Sequence, residues 1–360
     1  MTADRHRERQ RGIREWLAQN GIDALVSSHM PNIRYVTGFT GSAALVVVGP
    51  QSTVLLTDFR YAVQAPREVG GAAAVLVEQG NVWGRLATQV ADYDTVGFEA
   101  ESLTVRDAGR LDRAAAGRTV PTHGVVERLR TVKDPAEVEA IREAARLAEE
   151  ALDEVAGSVR VGDTELAIAG RLESALRCRG SEWHPFPTIV ASGARSALPH
   201  AQTSGRQVVR GDLLLVDFGA RVDGYCADLT RTFVVGAPPD ECQGAVYSLV
   251  SSAQDRAIAG IAAGMKGREV DSLARDTIRA RGFGEAFGHS LGHGLGLEVH
   301  EAPRLAASEE RGVPCGSVVT VEPGIYLPGW GGVRLEDDIS VGPAGAERLS
   351  RGPPELMILG

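Results

Sequence analysis

The sequence predicts two domains, a small α/β domain followed by a larger α+β domain. Three observations carry this prediction: the length of 360 residues, short apolar runs that alternate with helical patterns in the first third, and a long capped helix that opens the remainder. A chain of this length exceeds what one hydrophobic core usually serves, so about two domains are expected. We place the boundary after residue 130, which gives domains 1–130 and 131–360.

The first domain begins with a predicted amphipathic helix over residues 8–20, in which Ile13 and Leu17 have helical spacing and which ends at Gly21. Short apolar runs bounded by Gly, Pro or Asn then predict buried strands. They lie at residues 24–26, 43–48, 53–56, 72–77 and 95–98. A further helix is predicted over residues 83–91. Strands that alternate with helices indicate an α/β domain.

The second domain opens after a polar stretch at residues 122–133. Asp134 is placed to cap a helix, Pro135 suits its first turn, and Glu137 lies three residues after the cap. Its apolar stripe continues through Ile141, Ala145, Ala148, Leu152 and Val155. Further helices are predicted near 164–179, 240–263 and 267–281, and strands at 213–218, 225–235, 317–322 and 333–341. Because several of these strands are predicted to pair as hairpins, we assign the domain to the α+β class.

Composition excludes several classes of partner. The chain has 38 Lys and Arg against 47 Asp and Glu, a net charge of -9, which argues against binding to nucleic acid. It contains no run of about 18 apolar residues, so no membrane span is expected. The amino terminus is charged rather than apolar, and we expect a cytoplasmic protein. Four scattered cysteines indicate a reduced compartment, and Cys226 is expected to be a small buried hydrophobe.

A candidate hairpin carries the first pair of carboxylates. Residues 213–216 are an apolar strand run, and Asp223-Gly224 is the strongest short signal for a two-residue turn. Directly opposed residues in such a hairpin differ by an odd number, and Asp217 and Asp228 differ by eleven. They are expected on one face, directly or diagonally opposed, where they repel each other unless a cation lies between them. The alternative is that Asp217 is a capping residue and Asp228 a turn residue.

A glycine-rich block at residues 287–301 contains His289, His293 and His300, at spacings of four and seven. Histidines among glycines are poor core material and suit metal binding or acid–base chemistry. Two alternatives remain. The run from Gly292 to Gly296 could be a dinucleotide fingerprint, which needs a strand before it and a helix after it. The histidines could also lie at a surface turn.

Two glutamates complete the candidate site. Glu322 follows an apolar run and Glu336 interrupts another, where an unpaired charge is costly. A turn around residues 328–331 would fold Glu336 back beside Glu322. The predicted ligands are Asp217, Asp228, His293, Glu322 and Glu336. Four carboxylates with one imidazole favour two divalent ions, with manganese, cobalt or zinc as candidates. Such a pair would generate a bridging hydroxide as nucleophile and clamp the developing oxyanion.

Several strings resemble the successive signatures of pita-bread-fold metallopeptidases. They are LPHAQTS at 198–204, DFGARVDGYCADLTRTF at 217–233, FGHSLGHGLGLEVHE at 287–301 and TVEPGIYLPGWGGVRLEDD at 320–338. RYVTGFTG at 34–41 and LTDFRY at 56–61 resemble the amino-terminal domain of the Xaa-Pro branch. The resemblance covers nearly the whole chain. It implies a small α/β amino-terminal domain of the creatinase and prolidase type, followed by a pita-bread catalytic domain.

The resemblance implies a role for each candidate metal ligand. Asp217 would hold one ion, and His293 with Glu322 would hold the other. Asp228 and Glu336 would bridge both ions. Manganese is the expected metal, with cobalt or zinc possible.

Catalytic roles are likewise implied by the resemblance. His200 would contact the substrate and steady the tetrahedral intermediate. His289 and His300 would bind substrate and shuttle protons, and Arg334 would lie next to a bridging glutamate. Glu322 would also shuttle the proton of the metal-bound water.

The function that the resemblance implies is hydrolysis of the peptide bond between an amino-terminal residue and a following proline. The partners would be peptides with proline in the second position. A homodimer is expected, because related enzymes commonly complete their cleft with the partner's first domain. We favour an Xaa-Pro aminopeptidase, because the chain lacks the longer first domain and the insertions of larger prolidases.

Other members of the fold are the alternatives. An Xaa-Pro dipeptidase (prolidase) restricted to dipeptides is the first of them. Methionine aminopeptidases generally lack a first domain such as residues 1–130. Creatine amidinohydrolases and non-enzymatic peptide-binding members lack the full set of metal ligands.

Overall fold

The computed structural model describes residues 3–353 and 355–360. The chain divides into two compact units, Met1–Arg130 and Thr131–Gly360. No helix in the described residues is both long enough and apolar enough to cross a bilayer.

The first unit is built around one mixed sheet. Its helices are α1 (Ala3–Gln19), α2 (Met30–Thr37), α3 (Gln64–Val69), α4 (Val82–Val90), α5 (Val105–Ala114) and α6 (Val125–Thr131). Its strands are β1 (Ala24–Ser27), β2 (Ala44–Val48), β3 (Thr53–Asp58), β4 (Ala74–Glu78), β5 (Val96–Glu99) and β6 (Thr119–Thr122). The strand order is β4-β3-β2-β1-β5-β6, with β1 antiparallel to β2 and parallel to β5. Side chains of α4 and α5 pack in one cluster with those of the sheet.

The predicted strands of this unit, and the helix at residues 83–91, are confirmed within a few residues. The first helix begins earlier than predicted, at Ala3. The sequence patterns did not predict α2, which is short and contains the β-branched Ile33, Val36 and Thr37. Such residues have low helix propensity, so this helix depends on tertiary packing and on its end at Gly38, where φ is 82°.

The second unit has two pairs of long helices. They are α7 (Pro135–Ala156), α8 (Glu165–Cys178), α9 (Glu241–Gly260) and α10 (Gly267–Arg279). As predicted, Asp134 caps α7 by accepting the N–H groups of Ala136 and Glu137, and the Glu137 side chain completes the capping box. The predicted apolar stripe of α7 is buried. Residues 122–133, which read as a polar connection, contain α6.

Strands of this unit form two larger sheets and two short ribbons. The strands are β7 (Ile189–Ser192), β8 (Leu213–Phe218), β9 (Arg221–Val222), β10 (Tyr225–Cys226), β11 (Leu229–Val235), β12 (Gly292–Gly294), β13 (Glu301–Leu305), β14 (Ser317–Val321), β15 (Gly324–Leu327), β16 (Gly331–Arg334), β17 (Asp337–Gly342), β18 (Gly345–Arg348) and β19 (Ile358–Leu359). One sheet has the order β19-β11-β8-β7 and the other β13-β12-β14-β17-β18. Side chains of α7 and α8 pack with the first sheet, and those of α9 and α10 pack with the second.

Two predicted strands are each interrupted in the structure. The run at 225–235 divides into β10 and β11, and the run at 333–341 divides into β16 and β17. Asp228 lies in the first interruption and Glu336 in the second. These two predicted metal ligands therefore lie where the regular hydrogen bonding between strands stops, so their side chains can turn toward the same site.

Candidate metal centre and catalytic cleft

The hairpin formed by β8 and β11 places Asp217 and Asp228 on one face. Its turn residues Asp223 and Gly224 have φ values of 49° and 80°, the left-handed conformation that a tight hairpin turn requires. Thr230 pairs with Asp217, so Asp228, two residues before Thr230, is diagonal to Asp217 on the same face. The predicted arrangement of the two carboxylates is confirmed.

A second hairpin, β15 with β16, brings Glu322 and Glu336 toward each other. Its pairing ends two residues from each glutamate. Hydroxyl groups orient both side chains: Thr320 Oγ1 donates to Glu322 Oε1 at 3.2 Å, and Thr230 Oγ1 donates to Glu336 Oε2 at 2.6 Å. Each carboxylate keeps acceptor capacity for a further partner, since a carboxylate has about four lone-pair sites.

His293 lies on β12 between Gly292 and Gly294, two positions at which a side chain would clash with neighbouring backbone. A Cβ would lie 2.0 Å from a backbone oxygen at Gly292 and 2.1 Å from one at Gly294. The imidazole Nδ1–H donates to the Gly294 carbonyl at 3.0 Å, which leaves the Nε2 lone pair free. Nε2 is 3.7 Å from Asp228 Oδ2 and 3.4 Å from Glu322 Oε1. A neutral imidazole held in this way is the form that binds a metal.

Burial and mutual repulsion dominate the electrostatics of the site. Burial raises the pKa of Asp217, and it raises the pKa of Glu322 to about 8. Burial together with the neighbouring carboxylates raises the pKa values of Asp228 and Glu336 well above their usual range. The buried Arg334 guanidinium opposes the shift at Asp217 and donates to its Oδ2 at 2.6 Å. Among the described residues, Arg334 is the only cationic side chain that forms an ion pair of 4 Å or less with any of these four carboxylates apart from the cleft histidines, so the site is short of positive charge.

The donor set fits divalent cations. Asp217 Oδ1 is buried and has no hydrogen-bond partner among the described residues. Asp228, His293 and Glu336 each offer one ligand atom, and these atoms lie within 4.8 Å of one another. Carboxylate oxygens with one imidazole nitrogen suit manganese, cobalt or zinc. An unpartnered carboxylate oxygen beside such a cluster is what a metal-binding site leaves for the ion.

All the predicted site residues line one cleft of about 1040 Å³ in the second unit. His200 and His300 are exposed in this cleft, while His289 is partly buried. The His300 ring packs edge to face on His293, with ring centroids 4.4 Å apart. The structure therefore brings together the residues that the sequence placed on separate segments.

His289 is tied into a chain of hydrogen bonds that ends at Asp217. Its Nδ1–H donates to the Ser290 carbonyl, and its Nε2 accepts from the Tyr326 hydroxyl at 2.8 Å. The Tyr326 hydroxyl in turn accepts from Arg334 Nη1 at 2.9 Å. Both ring nitrogens of His289 are thus engaged within the protein. Its predicted part in proton shuttling stays a prediction, and the geometry gives it a link to Tyr326.

Sequence reasoning missed Tyr326. This residue joins His289 to Arg334, and burial raises its pKa to about 12, so the hydroxyl keeps its proton. The only signal was its position four residues after Glu322, and one tyrosine in an apolar strand is usually core material.

Arg304 was also missed. It pairs with His293 in the register of β12 and β13 and lines the cleft. Within residues 3–353 and 355–360 its guanidinium has no ion-pair partner. Because opposed residues of an antiparallel pair share a face, this cation lies on the same side as the metal ligand.

Two other expectations are settled by the fold. The segment from Gly292 to Gly296 is followed by β13 rather than by a helix, so the dinucleotide fingerprint is wrong. Cys226 is 3% exposed and, like the other cysteines, is not in a disulfide. It is the small buried residue that was predicted.

Comparison with known proteins decides the family. A family model described as metallopeptidase family M24 matches residues 139–343, which is more than half of the chain. The chain belongs to this family. A second model, the creatinase/prolidase N-terminal domain, matches residues 9–132. Members of M24 are metallopeptidases, so the chain is an enzyme of that class, and the family implies that it uses divalent metal ions.

Similar proteins extend over the whole chain. An Xaa-Pro dipeptidase of Pyrococcus furiosus is 33% identical over 98% of this chain and 100% of its own length. A solved Xaa-Pro dipeptidase from Bacillus anthracis is 40% identical, with a TM-score of 0.95, over 98% of this chain and 100% of that one. An X-Pro aminopeptidase from Thermotoga maritima is also 40% identical, with a TM-score of 0.88, over 94% and 98%. The predicted fold, an α/β amino-terminal domain followed by a pita-bread domain, is confirmed.

The raised carboxylate pKa values predict how metal-free protein responds to pH. Glu322 has a pKa of about 8 when folded, against 4.5 ordinarily, so it binds more protons folded than unfolded between these values. The free energy of unfolding should therefore fall as pH rises from about 5 to 8, by on the order of a few kcal/mol. Manganese should reverse the loss. Melting temperatures with chelator and with Mn²⁺, at both pH values, measure this.

Two variants make the test specific. Asp228→Asn removes one of the repelling carboxylates, so it should show a smaller pH effect and a weaker response to metal. Cys226→Ser, two residues away and outside the ligand set, should behave as the wild type does. Equal stability of metal-free protein at both pH values, with no response to Mn²⁺, would show that the carboxylates are not held close together.

Proposed function

We propose that this M24 enzyme hydrolyses the peptide bond between an amino-terminal residue and a following proline. The observation that carries the proposal is the convergence of four carboxylates and His293 in one cleft, in a chain similar to proteins named for Xaa-Pro cleavage. The amino-terminal domain over 1–130 and the catalytic domain over 131–360 belong to the proposal.

The proposed ligands divide between two ions. Asp217 would hold one, His293 and Glu322 would hold the other, and Asp228 and Glu336 would be shared between them. Manganese is the proposed metal, with cobalt or zinc as alternatives. When bound, the ions lower the pKa of water and polarise the scissile carbonyl.

Protein groups supply the remaining chemistry. Glu322 accepts the proton of the attacking water, and its carboxylate is held ready by the Thr320 hydroxyl at 3.2 Å. The nitrogen of an Xaa-Pro bond carries no hydrogen, so it must gain a proton as the carbon–nitrogen bond breaks. Glu322 returns the proton to that nitrogen. His200 and His300, exposed in the cleft, contact the substrate, and His200 donates to the developing oxyanion.

Arg334 keeps the site ordered while charge moves. Its guanidinium donates to Asp217, to the Thr230 hydroxyl and to the Tyr326 hydroxyl. Through Tyr326 it also fixes His289. A residue with three such contacts holds the ligand set in place when protons are transferred nearby.

The proposed activity is tested by a substrate panel. Purified protein with Mn²⁺ should cleave Xaa-Pro dipeptides and longer Xaa-Pro peptides, and it should leave matched Xaa-Ala peptides uncut. Chelation followed by dialysis should abolish turnover, and Mn²⁺ or Co²⁺ should restore it. Product analysis by mass spectrometry measures cleavage. Full activity after chelation, or equal cleavage of Xaa-Ala peptides, would contradict the proposal.

His200 gives a test of catalysis that is separate from metal binding. It is not one of the five ligands, and its ring has no hydrogen bond within the described ranges. We expect His200→Ala to keep both metals and its melting temperature but to lose about two orders of magnitude in kcat, because one oxyanion donor is worth about 10²–10³ in rate.

The comparison for His200→Ala is made on one preparation. Metal content, melting temperature and kcat are measured together, with Cys226→Ser as the control variant. A lower melting temperature with near-normal specific activity would make His200 a structural residue.

Arg304 favours dipeptides as substrates, the alternative to the aminopeptidase reading. A dipeptide has a free carboxylate one residue beyond the scissile bond, and Arg304 is a cation on the His293 face of the cleft. Arg311 also lines the cleft but is already paired with Glu309, at 2.6 Å. Arg304 is therefore the better anchor for that carboxylate.

The expected result of Arg304→Met is a loss confined to dipeptides. Its kcat/KM for an Xaa-Pro dipeptide should fall about 10-fold or more, because a charge-assisted hydrogen bond is lost. Its kcat/KM for the corresponding Xaa-Pro amide should change little. Arg311→Met is the matched control and should affect neither substrate. If kcat/KM fell equally for the dipeptide and the amide, Arg304 would not bind the carboxylate of the dipeptide, and an aminopeptidase would be the better interpretation.

Two finer expectations stay predictions. We propose that the enzyme is a homodimer, which rests on the resemblance to related peptidases. We propose that it works in the cytoplasm, which rests on the charged amino terminus and scattered cysteines.

A further inference from the structure

The segment that carries His200 is attached at both ends to one buried carboxylate. Residues 192–204 leave the end of β7, pass through a short 3-10 turn at Gly193–Ala197 and reach the cleft at His200. Glu165, the first residue of α8, has a side chain with no exposed surface. It lies under this segment and outside the ligand set.

Glu165 accepts hydrogen bonds from five donor groups on three residues of the segment. Oε1 accepts from the backbone N–H and the hydroxyl of Ser192, both at 2.8 Å. Oε2 accepts from the backbone N–H of Ser204 at 3.1 Å and from its hydroxyl at 2.6 Å. Arg195 Nε donates to the same carboxylate at 3.2 Å. Oε1 therefore binds Ser192 at the start of the segment, and Oε2 binds Ser204 at its end.

A buried charge is tolerated here because its partners compensate for lost hydration. Five donors and the amino-terminal end of α8 surround the carboxylate. Arg195 also closes the segment on itself, since its Nη2 donates to the Gln202 carbonyl. The clamp thus spans the residues on both sides of His200.

His200 depends on this backbone for its position. Its ring has no hydrogen bond of its own in the part of the chain that the structure describes. Its neighbour Pro199 accepts from Arg334 Nη1 at 3.2 Å, and the Ser196 hydroxyl accepts from the Gly332 N–H at 2.8 Å. These contacts hold the middle of the segment, and Glu165 holds its ends.

We propose that Glu165 is a positioning residue for His200, acting by clamping segment 192–204 at both ends. The inference rests on the proposed function, because His200 matters only if it contacts the substrate. A misplacement of about 1 Å can cost on the order of 10²-fold in rate. A carboxylate that fixes the approach of His200 therefore controls turnover without touching substrate or metal.

Glu165→Gln tests the clamp with little change in size. The amide keeps one acceptor oxygen, but its NH₂ group meets N–H and O–H donors at one end of the segment. Backbone bonds from Glu165 N–H to Arg206 O and from Leu166 N–H to Ser204 O remain. We expect unchanged metal content, a kcat about 10-fold lower, and faster amide hydrogen exchange in residues 192–204.

A double-mutant cycle with His200→Ala separates positioning from a general loss of stability. If Glu165 acts through His200, Glu165→Gln should lower kcat about 10-fold in the wild-type background and less than about 2-fold in the His200→Ala background. Equal losses in both backgrounds would overturn the proposal. So would an unchanged kcat together with faster exchange of the segment.

Two further variants keep the test decisive. Ser204→Ala removes one of the five donors and should fold even if Glu165→Gln does not; its kcat should fall about 3-fold, again only when His200 is present. Asp163→Asn is the matched control, because Asp163 lies two residues before Glu165 and pairs with Arg171 rather than with the segment. It should change neither kcat nor exchange of residues 192–204.

Failure of the proposed function has a different signature. Wild-type enzyme that cleaves no Xaa-Pro peptide would overturn the function, and with it the role of His200. Hydrogen exchange needs no substrate, so Glu165→Gln still shows whether the segment is clamped. Normal exchange in that variant would overturn the clamp even in an enzyme with full Xaa-Pro activity.

Discussion

Repulsion among four carboxylates is the constraint that the second unit must satisfy. Asp217, Asp228, Glu322 and Glu336 line one cleft, and burial raises the pKa of each. On flexible segments these carboxylates would move apart. They are instead held close together by two hairpins, β8 with β11 and β15 with β16. Arg334 and two threonine hydroxyls offset part of the charge, and metal ions are needed for the rest. Rigid strands are therefore a requirement of the site.

The three cleft histidines outside the ligand set follow another rule. Each lies on an irregular segment, and a buried carboxylate accepts a backbone N–H of that segment. Glu165 accepts from Ser192 and Ser204, Asp271 accepts from Leu291 near His289, and Glu301 accepts from Glu298 near His300. Asp271 also pairs with Arg275, which donates to the His289 carbonyl, and Glu301 pairs with the buried Lys133. Each metal ligand thus lies on a paired strand or directly beside one, while buried carboxylates hold the loops that carry these three histidines.

Much of this arrangement could be predicted from local sequence. The Asp223-Gly224 turn sets the hairpin register, and with it the diagonal of Asp217 and Asp228, because both follow from turn length alone. The capped helix α7 was also predicted from local residues, because Asp134, Pro135 and Glu137 mark its start. Contacts between distant segments carry no such signal. Tyr326 contacts His289, 37 residues away, and Glu165 contacts Ser192, 27 residues away. In sequence they look like an ordinary core tyrosine and a helix-start glutamate.

The interruptions at Asp228 and Glu336 show why these two strands were predicted to be too long. In both places the flanking residues remain buried, and a run of buried residues indicates burial rather than ladder hydrogen bonds. The backbone partners change instead. The Asp228 N–H donates to the Asp338 carboxylate, and the Glu336 N–H donates to the Thr230 carbonyl on the neighbouring hairpin. Each ligand is thus held by a strand that begins directly after the other ligand, since β17 follows Glu336 and β11 follows Asp228. Because these two strands hold each other at the ligands themselves, a change at either position is transmitted to both.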